Sequence, residues 1–144
     1  MEAYVSCWFD DLKDSRMARF YMFFGALLGF AAVALSAVAA HALPQRLDAK
    51  ALAAVQSGIQ MQGWHALALV LCALWMLRAP PASLFWANLA GAAFSLGVVL
   101  FSGSIYAGEL GGVRIGPTAP TGGILLMAGW LLLAVSALRA GPTP

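Results

Sequence analysis

The sequence has 144 residues, of which 62% are hydrophobic and only 10% charged. Soluble domains carry roughly a quarter charged residues and under half apolar ones, so this chain has too few charges to cover a water-soluble surface. Its formal net charge of +2 is thinly spread; it offers no basic patch for nucleic acid, and the length suits one domain.

The chain opens with "MEAYVSCWFDDLKDSR", which puts Tyr4, Val5, Trp8, Phe9 and Leu12 at helical spacing, with acids and Lys13 between them. Residues 1–19 are expected to form an amphipathic N-terminal helix. It either rests on lipid headgroups or docks on a protein partner. Headgroup-binding helices usually carry Lys and Arg on the polar face, and this one is mainly acidic before Arg16. Tyr4, Trp8, Phe9 and Leu12 are therefore read as partner-docking residues.

A helix crosses the hydrocarbon core in about 20 mostly apolar residues. Four stretches qualify, at about 20–43, 61–77, 83–106 and 121–138, and none contains Asp, Glu, Lys or Arg. Arg16, Arg19 and the later "AVAA" resemble a signal peptide. The apolar run is longer than the typical h-region, so it is kept as a span. Residues 20–144 are thus expected to be one four-span membrane domain. Between spans one and two, "PQRLDAKALAAVQSGIQ" places Leu47, Leu52 and Val55 on one side, with Arg46, Asp48 and Lys50 free for solvent. It is expected to be a short helix lying in the interface. "RAPP" at 78–81 is a tight turn, because Pro80 and Pro81 lack the N–H a helix needs. Residues 107–120 form a longer Gly/Pro loop. Cys7 and Cys72 make no CxxC or zinc spacing; Cys72, mid-span, is read as a small apolar packer.

Four spans put both termini on one side. That side holds Lys13, Arg16, Arg19, Arg78 and Arg139, against Arg46, Lys50 and Arg114 on the other. The positive-inside rule then places both termini in the cytoplasm. On this topology His41 and His65, each in the tripeptide "HAL", fall near the outer ends of consecutive spans. Gln60, Gln62, Ser102, Ser104, Tyr106 and Thr121 fall there too, while the cytoplasmic halves read as nearly pure Leu, Ala, Val and Phe. Polar side chains in lipid turn inward and bond across helices, so the first reading of this outer cluster is structural stitching, with His41 and His65 in one network. The second is a small-ligand or ion site. The third is a haem or quinone site. Haem b is disfavoured, because both histidines sit near the interface and no other strong axial ligand is present.

No nucleophile–base–acid set appears, and two histidines with Glu109 are too few for a catalytic zinc. The glycines of "GELGG" and "TGGILL" lack the Gly-Lys-Ser/Thr of a phosphate loop. No catalytic residue, metal ligand or cofactor is therefore expected. "GALLG" supplies Gly25 and Gly29, and Ala87, Gly91 and Ser95 repeat at every fourth position; small residues at this spacing let helix backbones approach closely.

Taken in order, "GALLGFAAVALSAVAAHAL", "IQMQGWHALALV", "LFSGSIYAGELGG" and "PTGGILLMAGWLLL" resemble the YgdD-like family, a group of small four-span membrane proteins of unknown function. The resemblance runs from about Phe23 to Leu138 and marks His41, His65, Ser102, Gly103, Tyr106, Pro120, Gly122 and Gly123 as signature positions. It implies the fold and a bacterial inner-membrane location, and brings no activity with it. The expectation is an all-α integral membrane four-helix bundle. Its function is expected to be that of a non-enzymatic accessory or assembly subunit, with the lipid bilayer and other membrane subunits as partners. The alternative is a free-standing protein binding or transporting a small ligand or ion at the outer cluster.

Overall fold

The computed structural model describes the backbone of residues 2–113 and 115–140, and the side chains of 16–113 and 115–140. The described chain is helical and holds no strand. Helix α1 covers Glu2–His41, a single tight turn covers Leu43–Gln45, and α2, α3 and α4 cover Ala49–Met76, Pro81–Glu109 and Thr118–Arg139. Among the described residues, Arg16–His41, Ala49–Met76, Pro81–Glu109 and Thr118–Arg139 are each long and apolar enough to cross a membrane.

Several helix boundaries have a local cause. Asp48 is the N-cap of α2, where its Oδ1 accepts from the Ala51 N–H at 2.8 Å and satisfies an amide the helix cannot. Pro81 starts α3, a position where its missing N–H costs nothing. Gly112 and Gly116 take φ of 67° and 41° in the α3–α4 loop, a region glycine enters without a Cβ penalty.

Two expected boundaries are absent. Residues 44–60 do not form a separate interfacial helix: from Ala49 onward they belong to the same unbroken 28-residue helix as span two. Leu47, Leu52 and Val55 do share a side, but that side packs on Ala39, Leu43 and Tyr106 rather than lying on headgroups. Gly58 does not break the helix, because it is a packing position: a Cβ there would stand 3.0 Å from the Tyr106 ring. Likewise α1 runs without interruption from Glu2 through span one, so residues 1–19 are not marked off by a turn. Tyr4, Trp8, Phe9 and Leu12, expected to dock on a partner, lie outside the described side chains.

The α2–α3 pair is central, with α1 packed along α2 and α4 along α3; α1 and α4 make no substantial contact with each other. The core is built from small residues and one large ring: Leu69, Cys72, Ala73, Ala87, Ala90, Phe94 and Val98. On α1 the buried positions are Ala18, Tyr21, Gly25, Ala32 and Ala39, a narrow seam at three-, four- and seven-residue spacing. Met22, Phe24 and Leu28 flank that seam and pack partly against the core, while Phe20, Phe23, Phe30 and Val33 face outward, as lipid contact allows.

Candidate functional site

The bundle has a two-loop end, where residues 42–48 and 110–117 connect helices, and a single-turn end, where 77–80 do. The polar residues of the spans form two sets of cross-helix hydrogen bonds, one toward each end, with a separate His65–Trp130 bond between them.

Toward the two-loop end the centre is Gln62, 4% exposed. Its Nε2 donates to the Leu28 carbonyl at 2.9 Å, and its Oε1 accepts from the Tyr106 hydroxyl at 3.0 Å. One amide thus joins α1, α2 and α3, and its two ends match the one acceptor and one donor offered. One turn away, the Ser102 hydroxyl donates to the Gly58 carbonyl at 2.9 Å. Gly58 lets the Tyr106 ring lie flat on α2, which brings the phenol to Gln62.

His65 belongs to a different group. Its Nδ1 lies 2.7 Å from the Met61 carbonyl, one turn back, and its Nε2 accepts from the Trp130 indole N–H at 3.2 Å. That pairing fits the neutral ring with its proton on Nδ1. The rings of His65, Phe94 and Trp130 pack together at centroid separations of 5.2 to 6.2 Å, joining α2, α3 and α4. His41 is exposed at the end of α1 and makes no side-chain hydrogen bond among the described residues. The two histidines therefore share no network and form no axial pair for haem. Gln60 and Thr121 are exposed as well; the Thr121 hydroxyl donates back to Pro117 O at 3.0 Å, and Ser104 to Phe101 O at 2.9 Å. Of the eight residues assigned to one outer cluster, Gln62, Tyr106 and Ser102 converge, His65 forms its own group, and the other four are spent locally or face outward.

The second set occupies the half that reads as purely apolar. The Trp75 indole donates to Ser136 Oγ at 2.9 Å, and Ser136 donates to the Ser83 carbonyl at 2.9 Å, a relay across α2, α4 and α3. The Tyr21 hydroxyl donates to Asn88 O at 3.0 Å, and Cys72 Sγ to Ala87 O at 3.2 Å. The Ser83 hydroxyl is buried without a partner among the described residues. Sequence reading missed this set because each member stands alone in an apolar run. Its one available signal was that Tyr21, Trp75, Asn88 and Ser136 all carry donors into lipid depth, where each needs an acceptor.

The small residues mark close approaches. A Cβ on Gly25 would lie 2.8 Å from the Ala66 carbonyl, and one on Gly91 2.6 Å from the Tyr21 ring; on Gly29 it would meet only ordinary contact, 3.8 Å from Ala66. Ala87 is fully buried. The Ser95 hydroxyl bonds back to Gly91 O at 2.8 Å. The closest backbone-to-backbone approach lies outside the expected small-residue motifs: Gly122 of α4 on Gly97 and Phe101 of α3.

Among the described residues no three His, Cys, Asp or Glu side chains gather as a metal site. A family model described as a protein of unknown function, DUF423, matches residues 35–123. The UPF0382 inner membrane protein YgdD of Escherichia coli K12 is 37% identical over 123 residues, which are 85% of this chain and 92% of that protein. A UPF0382 membrane protein of Haemophilus influenzae is 38% identical over 122 residues, 83% of this chain and 94% of that one. One of Staphylococcus haemolyticus is 33% identical over 122 residues, 84% and 97% of the two chains. No solved structure matches significantly.

Proposed function

Because this chain belongs to the DUF423 family of membrane proteins of unknown function, its role is read from its own geometry, and we propose that it is a non-enzymatic accessory or assembly subunit of a larger inner-membrane complex. The inner-membrane assignment follows the name of its Escherichia coli relative, and the cation count puts both termini in the cytoplasm.

The observation that carries this reading is where the spans spend their polar groups. Gln62, His65, Trp75, Ser102, Tyr106 and Ser136 are each bonded to a neighbouring helix or to their own backbone. Such groups hold a scaffold together and leave little chemistry for a substrate at membrane depth. In contrast α1 offers a wide apolar outer face, with Phe23 and Phe30 68% and 73% exposed, at a spacing of seven residues that suits a second helix. The N-terminal residues Tyr4, Trp8, Phe9 and Leu12, at helical spacing in the sequence, are proposed to dock on the same partner.

The test is extraction in mild detergent and separation by native size, with the full chain compared with a 1–15 deletion and with Phe23→Ala/Phe30→Ala. The full chain is expected to migrate with a defined set of membrane subunits, and both variants to insert normally yet lose them. Migration of all three as the same small species would refute the reading.

A further inference from the structure

At the two-loop end α2 and α3 outlast their neighbours. Counting about 20 residues per hydrocarbon crossing forward from Arg19 reaches the region of Ala39. Counting back from Arg139 reaches Ala119, and back from Arg78 reaches Gly58. The first turns of α2 and the last turns of α3 therefore stand at headgroup level. Between them lies an open groove of about 540 Å³, floored by the start of α4 and within the size range of small-ligand pockets.

The groove carries charges of both signs over an apolar base. Lys50 comes from α2 and Asp48 from its N-cap, Glu109 comes from the end of α3, and Ile105, Ile115 and Ala119 lie among them. Asp48 spends one carboxylate oxygen on the Ala51 amide. Lys50 and Glu109 are exposed and form no ion pair among the described residues, although they line the same groove. The first turn of α4 opens beside Ala119; its N-cap, Pro117, supplies no side-chain hydrogen bond, and since Pro120 has no N–H and the Thr121 N–H bonds Pro117 O, it is the Thr118 and Ala119 amides that keep their partial positive charge.

A ligand that answers this pattern carries an ammonium and an anion a few ångströms apart and resides at the membrane surface. We propose that the groove binds the ammonium–phosphate headgroup of a zwitterionic phospholipid, phosphatidylethanolamine. The ammonium lies toward Glu109 and Asp48, and the phosphate toward Lys50 and the first turn of α4. An anionic headgroup would set its unneutralised charge against two carboxylates. A choline headgroup carries no N–H to donate to them. This goes beyond the accessory-subunit reading and does not depend on it.

The experiment uses the purified full chain in detergent, with native mass spectrometry and thermal unfolding as readouts. Phosphatidylethanolamine, phosphatidylcholine and phosphatidylglycerol of the same acyl composition are added separately, and soluble phosphoethanolamine in a fourth arm. Phosphatidylethanolamine is expected to be retained about tenfold more tightly than the other two lipids and to raise the unfolding temperature. Glu109→Ala should bring that preference close to one, and Lys50→Ala should weaken retention severalfold. Both residues are exposed, so unfolding without lipid should be unchanged. Equal retention of the three lipids, or an undiminished preference in both variants, overturns the proposal. Saturation by soluble phosphoethanolamine at the same concentration would also overturn it, by assigning the groove to a soluble metabolite.

Discussion

Gly122→Ala is the sharpest probe of how α3 and α4 are held. The added Cβ would stand 2.5 Å from the Phe101 amide nitrogen, 2.8 Å from the Gly97 carbonyl oxygen and 2.9 Å from Phe101 Cα. All three are backbone atoms, so no side chain can swing away. Ordinary contact begins near 3.4 Å, and the helices must part locally by roughly 1 Å, an overpacking strain of about 1–3 kcal/mol. Gly123→Ala is the matched control, because its Cβ would meet only the Phe101 ring at 3.8 Å. Both changes give the helix the same propensity gain, at most about 1 kcal/mol, which cancels in the comparison. The assay is unfolding of both variants in mixed detergent micelles, followed by tryptophan fluorescence, with Trp130 eight residues along the same helix as a local reporter. Gly122→Ala is expected to be the less stable of the two by about 1–3 kcal/mol. Equal stability would refute the claim that backbone contact at this crossing fixes the helix spacing.

The Gln62–Tyr106 pair should show coupling in a double-mutant cycle of Gln62→Leu and Tyr106→Phe, of about 0.6 and at most about 2 kcal/mol; additive losses would mean the bond contributes nothing. Ser136→Ala removes both the acceptor for Trp75 and the donor to Ser83, so it should destabilise by about 1–2 kcal/mol and shift Trp75 emission, whereas Ser104→Ala, which loses only a bond to its own helix, should leave stability nearly unchanged. Lys50→Cys in a Cys7→Ser background should react with a membrane-impermeant thiol reagent from outside the cell; reaction only after the cytoplasm is opened would invert the proposed orientation.

The spans were legible because lipid imposes one strong rule on composition, and the absence of Asp, Glu, Lys and Arg from four runs is visible without any geometry. Rotation and register were not. The expected pairing of His41 with His65 depended on starting span two near Met61. The helix starts at Ala49, which puts His65 sixteen residues in, about 24 Å along the axis, far from the end of α1. Charges at 46, 48 and 50 suggested an interfacial segment as far as residue 60, but nothing after Lys50 interrupts the helical pattern. Gly58, to which the sequence assigns no role, is the seat of a tyrosine ring. A glycine gives the same letter whether it breaks a helix or seats a side chain; the partner helix decides between them.

The distribution of ties also ranks the helices. In the apolar window of α2, 44% of residues are buried, and in that of α1 only 17%. The described cross-helix side-chain bonds that hold α1 are the Gln62 amide on Leu28 O and the Tyr21 phenol on Asn88 O. It is also held by close approach at Gly25, against the Ala66 carbonyl, by the Tyr21 ring on Gly91, and by the packing of Ala39 with Val55. Helix α4 is only 22% buried, yet it has two indole bonds, from Trp75 to Ser136 and from Trp130 to His65, and the Gly97–Gly122 crossing. In lipid, apolar surface drives no association by itself, so it is these polar ties and close packings that fix each helix. Among the described residues, the membrane-spanning part of α1 has the smallest buried share of the four helices. A lightly held helix with a broad apolar face gains most from a neighbour outside the chain, which is why the accessory-subunit reading places its contact on α1 and not on the more closely tied α3–α4 side.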